Sequence, residues 1–173
     1  MTPDFDPIPD FGVPSRTSAA SKLGGFPHED VHQHSGGHLA GKRLVDTQEM
    51  AAKLHAAVAA KRDPDFLVIA RTDARAVEDF AGAIERANSY LAAGADAIFP
   101  EALQTKDEFR DFAREVKAPL LANMTEFGKS PSLSVPELEE LGYRMVIFPQ
   151  SAFRVSMKTT EEFFRALKST GTP

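Results

Sequence analysis

From Asp46 onward the apolar positions fall into two alternating rhythms. Asp46 and Glu49 stand at capping-box spacing ahead of Met50, Leu54, Ala57 and Val58, which share one helical face and predict a helix ending near Lys61. Phe66-Leu67-Val68-Ile69-Ala70 is then an unbroken apolar run between Asp63-Pro64-Asp65 and Arg71-Thr72-Asp73, too short for a helix and readable as a buried strand. The pair recurs. Val77, Phe80, Ala81, Ile84, Ala87 and Leu91 form a helical stripe stopped by Gly94, and Ala95 to Phe99 form a strand that meets Pro100-Glu101. Thr105 and Glu108 make another capping box before Phe109, Phe112, Ala113 and Val116, and Pro119 to Ala122 lead as a strand to Asn123. Ser134 and Glu137 open a short helix through Leu138 and Leu141 to Gly142, Met145 to Phe148 make the next strand, and a last helix runs from Ser151 to Lys168.

Apolar strands without in/out alternation, separated by helices, predict an α/β fold with a parallel sheet covered by helices. Doubly wound sheets and (β/α)8 barrels both satisfy that pattern. Each strand runs directly into a polar or Pro-containing cluster, and a barrel gathers such strand ends at one mouth, where its chemistry sits. The expectation is a partial (β/α)8 TIM-type barrel of about four βα units, fewer than the eight of a closed barrel. Residues 1–45 differ: Pro3, Pro7, Pro9, Pro14 and Pro27, six glycines and a Ser/Thr cluster at Ser15–Ser21 carry no period. The chain therefore divides into an irregular Pro/Gly/His-rich leader, 1–45, and a half barrel, 46–173.

Composition narrows the chemistry. With 20 Lys+Arg against 25 Asp+Glu, a net charge of −5 and no basic block, the sequence predicts no nucleic-acid or membrane-surface partner. No apolar run approaches the roughly 18–20 residues that span a bilayer, and Met1 to Phe11 is acidic and Pro-broken where a secretory signal is basic and then apolar. The absence of cysteine removes disulfides, Cys-ligated metals and thiol nucleophiles, and no Gly-x-Ser-x-Gly elbow is present. Phe80, Phe109, Phe112, Phe163 and Phe164 sit on helical stripes and read as core. His28, Glu29, Asp30, His32, His34 and His38 form a tract of metal-capable side chains without a predicted scaffold, so it reads as a solvated loop. Arg71, Glu101 and Asn123 each follow an apolar strand, and a ring of cation, carboxylate and amide suits a small polyanionic substrate.

Four strings carry a family resemblance. Ile69-Ala70-Arg71-Thr72-Asp73-Ala74-Arg75-Ala76, Ala92 to Ala102, Leu120-Leu121-Ala122-Asn123-Met124-Thr125-Glu126-Phe127-Gly128 and Val146 to Arg154 resemble the 2-methylisocitrate lyases of the isocitrate lyase/phosphoenolpyruvate mutase superfamily. The resemblance runs in order from about Gly37 to Thr172. It implies a homo-oligomeric (β/α)8 barrel catalysing Mg²⁺-dependent cleavage of 2-methylisocitrate to pyruvate and succinate, in propionate catabolism by the methylcitrate route. It also implies a cytoplasmic setting, or the mitochondrial matrix in a eukaryote. Arg71, Glu101, Asn123, Met124, Thr125, Arg154 and Gly37 match substrate-binding positions, and Glu29, through the Glu29-Asp30 pair, matches a metal position. Where the family's general-acid Cys stands, the aligned stretch is His34-Ser35-Gly36-Gly37-His38, which puts Gly36 at the acid's place; the family's metal-binding Asp pair has no counterpart here. Three readings follow: a lyase of this family; a non-catalytic homologue that pairs with full-length subunits in a mixed oligomer; or a related enzyme acting on another 2-oxo-acid-type substrate.

Overall fold

The computed structural model describes residues 25–31 and 42–172. Its elements are β1 (Gly25–Glu29), α1 (Thr47–Ala59), β2 (Leu67–Thr72), α2 (Ala74–Val77), α3 (Phe80–Ala92) and β3 (Ala97–Pro100), then α4 (Lys106–Glu115), β4 (Leu121–Asn123), α5 (Val135–Glu140), β5 (Met145–Ile147) and α6 (Ser151–Thr170). Strands β1, β2 and β3 pair in that order, all parallel, and β4 pairs parallel with β5. A parallel bridge between Ile98 and Leu120, with Ile98 N donating to Pro119 O at 3.0 Å, links β3 to the start of β4. The strands thus follow one another in chain order without reversal. No helix among the described residues is long and apolar enough to cross a membrane.

Helix starts follow their side-chain caps. Ser134 and Glu137 make the full reciprocal capping box, with Pro136 in the first turn of α5. Asp46 caps α1 by accepting from Gln48 N at 2.8 Å rather than through Glu49, and Thr105 accepts from Glu108 N at 3.1 Å while the Glu108 carboxylate accepts from Gln104 N. The core lies between the sheet and these helices. Val68, Ala70 and Thr72 alternate inward from β2 against Met50 and Leu54 of α1, Ala83, Ala87 and Tyr90 of α3, and Phe109 and Phe112 of α4. Gly94 ends the α3 segment at φ +99°, where a Cβ would stand 3.2 Å from Val58 Cγ2, so the left-handed turn is reserved for glycine.

The structure corrects three sequence expectations. Gly25–Glu29, inside the segment read as an irregular leader, is strand β1, in register with Leu67–Arg71. Its Gly and Pro hide it from any apolar pattern, and β2 supplies the pairing. Residues 1–24 and 32–41, with Gly36, Gly37, His32, His34 and His38, lie outside the described residues. The stripe from Val77 to Leu91 is not one helix: Asp79 caps a new one by accepting from Gly82 N at 2.7 Å, and the buried face is Ala83, Arg86, Ala87 and Tyr90. A charged residue occupies that face because Glu78 pairs with it. Finally, β5 and α6 are not buried. Phe148 is half exposed, Phe163 and Phe164 are exposed, and α6 has no buried residue, because nothing among the described residues packs over it.

Candidate functional site

The pleat of the sheet assembles the site. Arg71 opposes Glu29 on β1 and Phe99 on β3, so the three side chains share one face at the C-terminal strand ends. The Arg71 guanidinium carbon lies 5.0 Å from the Phe99 ring centroid, and Glu29 Oε2 is 3.6 Å from Arg71 Nε. Glu101, next but one after Phe99, is buried, with Oε2 3.4 Å from Arg71 Nη2 and accepting from Asn123 Nδ2 at 3.3 Å.

Beneath Arg71 lies a dry polar network. Asp73 is fully buried; its Oδ2 accepts from Arg71 Nε at 2.8 Å, and its Oδ1 accepts from Arg71 Nη2 at 3.2 Å and from Lys42 Nζ. Burial works to raise the Asp73 carboxyl, but hydrogen bonds and charge from Arg71 and Lys42 hold it below the ordinary value. Asp30, also fully buried, accepts from Thr72 Oγ1 at 2.7 Å, Asp73 N at 2.9 Å and the Tyr90 hydroxyl at 2.9 Å. For Asp30 burial prevails over those donors, and its carboxyl is raised. Arg86 completes the network, donating to Tyr90 Oη, Val45 O and the Glu78 carboxylate.

A cavity of about 400 Å³ opens above Arg71, Asn123, Thr125, Phe127, Gln150 and Arg154. Phe127 and Gln150 hold φ of +63° and +67°, a conformation that strains residues with a Cβ by about 1–2 kcal/mol each. On this side Arg154 Nη1 donates to Glu126 Oε2 at 2.5 Å and its guanidinium lies 5.3 Å from the Phe127 ring. Asn123 Oδ1 is buried without a hydrogen-bond partner among the described residues, because Glu101 fixes the amide nitrogen on the other side. Met124 does not line the cavity; it is buried, and its Sδ accepts from Leu133 N at 3.4 Å.

The strand-end trio Arg71, Glu101 and Asn123 is therefore joined through Glu101, with Arg71, Asn123, Thr125 and Arg154 on the same cavity. The Arg71 guanidinium is partly committed, since Asp73 takes its Nε and Nη2 edge. Lys42, Arg86 and Tyr90 carried no local signal, while Asp30 was read only as part of a metal-capable tract and Asp73 only as part of the polar cluster after a strand. Among the described residues no three His, Cys, Asp or Glu side chains gather to hold a metal ion.

The family model for phosphoenolpyruvate phosphomutase matches residues 16–168. The chain belongs to the phosphoenolpyruvate phosphomutase family. Within reach of this family, a 2-methylisocitrate lyase of Aeropyrum pernix is 56% identical over 136 residues, covering 79% of this chain and 44% of that protein. The solved trigonal form of 2,3-dimethylmalate lyase, a PEP mutase/isocitrate lyase superfamily member, aligns with a TM-score of 0.81 and 36% identity over 90% of this chain and 53% of that one. A phosphonopyruvate hydrolase solved with oxalate and Mg²⁺ aligns with a TM-score of 0.73 and 29% identity over 88% of this chain and 53% of that one. The chain spans about half the length of the relatives it matches. For Mg²⁺, the described residues do not fit: the ion takes a near-octahedral oxygen shell, whereas Glu29 and Glu101 both face the Arg71 guanidinium.

Proposed function

We propose that the chain forms the carboxylate-gripping side of a 2-methylisocitrate lyase-type site, within a partial (β/α)8 barrel that has five βα units among the described residues, one more than the sequence pattern showed because β1 is included. The barrel is supported by parallel strands that follow chain order, since a doubly wound sheet reverses its order at a switch point. One observation carries the functional reading: Arg71, Asn123, Thr125 and Arg154 border one cavity at the C-terminal strand ends. 2-Methylisocitrate is a hydroxy-tricarboxylate. The Arg71 nitrogen edge not taken by Asp73 donates to one carboxylate, and Arg154, released from Glu126, meets another. The unpartnered Asn123 Oδ1 accepts from a ligand hydroxyl, which removes the cost of a buried orphan acceptor. Glu101 holds Arg71 and Asn123 in register. The related reading, another 2-oxo-acid-type substrate, uses the same grip and is separated by product identity.

Cleavage leaves a carbanion that must take up a proton. Gly36 offers no side chain for that transfer, and the chain contains no cysteine, a loss of about 10²–10⁴-fold for an acid/base group. This observation favours a second reading, a homologue that binds the carboxylate without turning it over. The assembly we propose is a homo-oligomer; the matches lend no support to a mixed one with full-length subunits. The test is pyruvate release from 2-methylisocitrate by the purified chain, with Mg²⁺ and with a chelator, alongside calorimetric binding. Binding without release supports the non-catalytic homologue. Mg²⁺-dependent release that is absent in Arg71→Gln supports the lyase and requires a donor other than cysteine.

A further inference from the structure

We infer that Asp73 is a positioning residue for anion recognition: it holds the Nε and Nη2 edge of Arg71 from beneath and so presents the remaining guanidinium nitrogen to the cavity. The inference rests on the reading of Arg71 as a residue that contacts a substrate carboxylate. Both Asp73 oxygens are committed, Oδ2 to Arg71 Nε at 2.8 Å and Oδ1 to Arg71 Nη2 at 3.2 Å and to Lys42 Nζ. No hydrogen bond among the described residues engages Arg71 Nη1. The Asp73 carboxylate is itself held in place. Its backbone N–H donates to Asp30 Oδ1 at 2.9 Å, and Asp30 is pinned in turn by Thr72 Oγ1 and the Tyr90 hydroxyl. Asp73, Asp30, Thr72 and Tyr90 are buried, so water does not compete for the bonds among them.

A second feature argues for positioning over simple charge balance. Asp73 is a carboxylate placed next to the very cation that is to receive an anion, and by Coulomb's law alone it weakens anion binding. Its buried placement there is reasonable only if the orientation it imposes on Arg71 outweighs that repulsion. The two roles differ in sign. A charge competitor, once neutralised, lets the anion bind more tightly; a positioning residue, once neutralised, lets Arg71 swing and loosens the anion.

The experiment uses oxalate as the probe, with titration calorimetry and NMR of isotope-labelled arginine side chains on the full chain. In the unmutated protein the Arg71 Nε–H signal, identified by its loss in Arg71→Gln, exchanges slowly and keeps its position when oxalate is added, because the anion uses the other nitrogen. Asp73→Asn loses that slow exchange and binds oxalate about tenfold more weakly, the scale of one charge-assisted hydrogen bond. Tighter or unchanged binding in folded Asp73→Asn overturns the inference. So does an Nε–H signal in the unmutated chain that exchanges freely, or that shifts and is released as oxalate saturates; neither readout depends on the variant folding. Unchanged oxalate affinity in Arg71→Gln instead overturns the reading of Arg71 on which the inference stands.

Discussion

Two arginines border the same cavity, and their surroundings differ. Arg71 stands on β2 over two fully buried aspartates: its partner Asp73 is shared with Lys42, and Asp30, which accepts from the Asp73 N–H, is braced from α3 by Tyr90, itself held by Arg86. Arg154 stands on the first turn of α6, with a side chain 39% exposed, paired with a Glu126 side chain 42% exposed and stacked on a Phe127 that is 97% exposed. The ionic chemistry is the same. What differs is the water: the dry pair is fixed before a ligand arrives, whereas the wet pair is screened and exchanges its carboxylate for a ligand's at little cost. On the proposed carboxylate-binding reading, one side of the site is a rigid anchor and the other an adaptable clasp.

The same contrast governs stability, and the largest expected effect tests it there. Phe112 is fully buried, and Phe112→Ala is expected to lower unfolding free energy by about 3–5 kcal/mol, whereas Phe164→Ala on α6 is expected to change it by less than about 0.5 kcal/mol. Denaturant titration measures both, and similar losses would dissolve the comparison. Next comes Arg86→Met, which takes the guanidinium from Tyr90, Val45 and Glu78 and is expected to cost about 2–4 kcal/mol.

Smaller effects come from the exposed side. Lys106, then the Ser134 N–H and hydroxyl, hold the Glu137 carboxyl down at about 2, below the ordinary 4.5. A carboxyl lowered by folding stabilises the protein above its unfolded value and loses that contribution as pH falls through the folded one. Stability is therefore expected to fall between pH 4.5 and 2, with Asp73 adding to the fall and Asp30, whose raised carboxyl has the opposite sign, reducing it. Glu137→Gln should flatten that acid limb in pH-dependent unfolding; an unaltered limb would remove Glu137 from it. Smallest of all, Glu126→Gln should leave stability unchanged while tightening 2-methylisocitrate binding, because Arg154 loses its internal competitor.

The legible part of the molecule is the part encoded locally. Apolar runs ending in Arg71, Glu101 and Asn123 marked the strand ends because a buried parallel strand needs such a run and must stop where polar groups begin. Ser134 and Glu137 gave the start of α5 in the same way. The supporting network was silent because its partners are remote: Asp30 meets Thr72 across 42 positions and Tyr90 across 60. Arg86 drew no attention in the sequence for the same reason, since only folding brings Val45 to it. Arg154 lies inside a helix start after β5, where no strand-end pattern points, and only the family resemblance singled it out. In the opposite direction, Phe163 and Phe164 sit at core spacing on a helix that covers nothing among the described residues, which no periodicity can register.

The most direct test of the central claim is calorimetric titration of 2-methylisocitrate into the folded chain and into Arg71→Gln. Binding by the unmutated chain that falls by about tenfold or more in the variant is the expected result, matching loss of a charge-assisted contact to a carboxylate. Equal affinity in the two, or no binding by a chain shown to be folded, would contradict the assignment of Arg71 as the anchor of a carboxylate site.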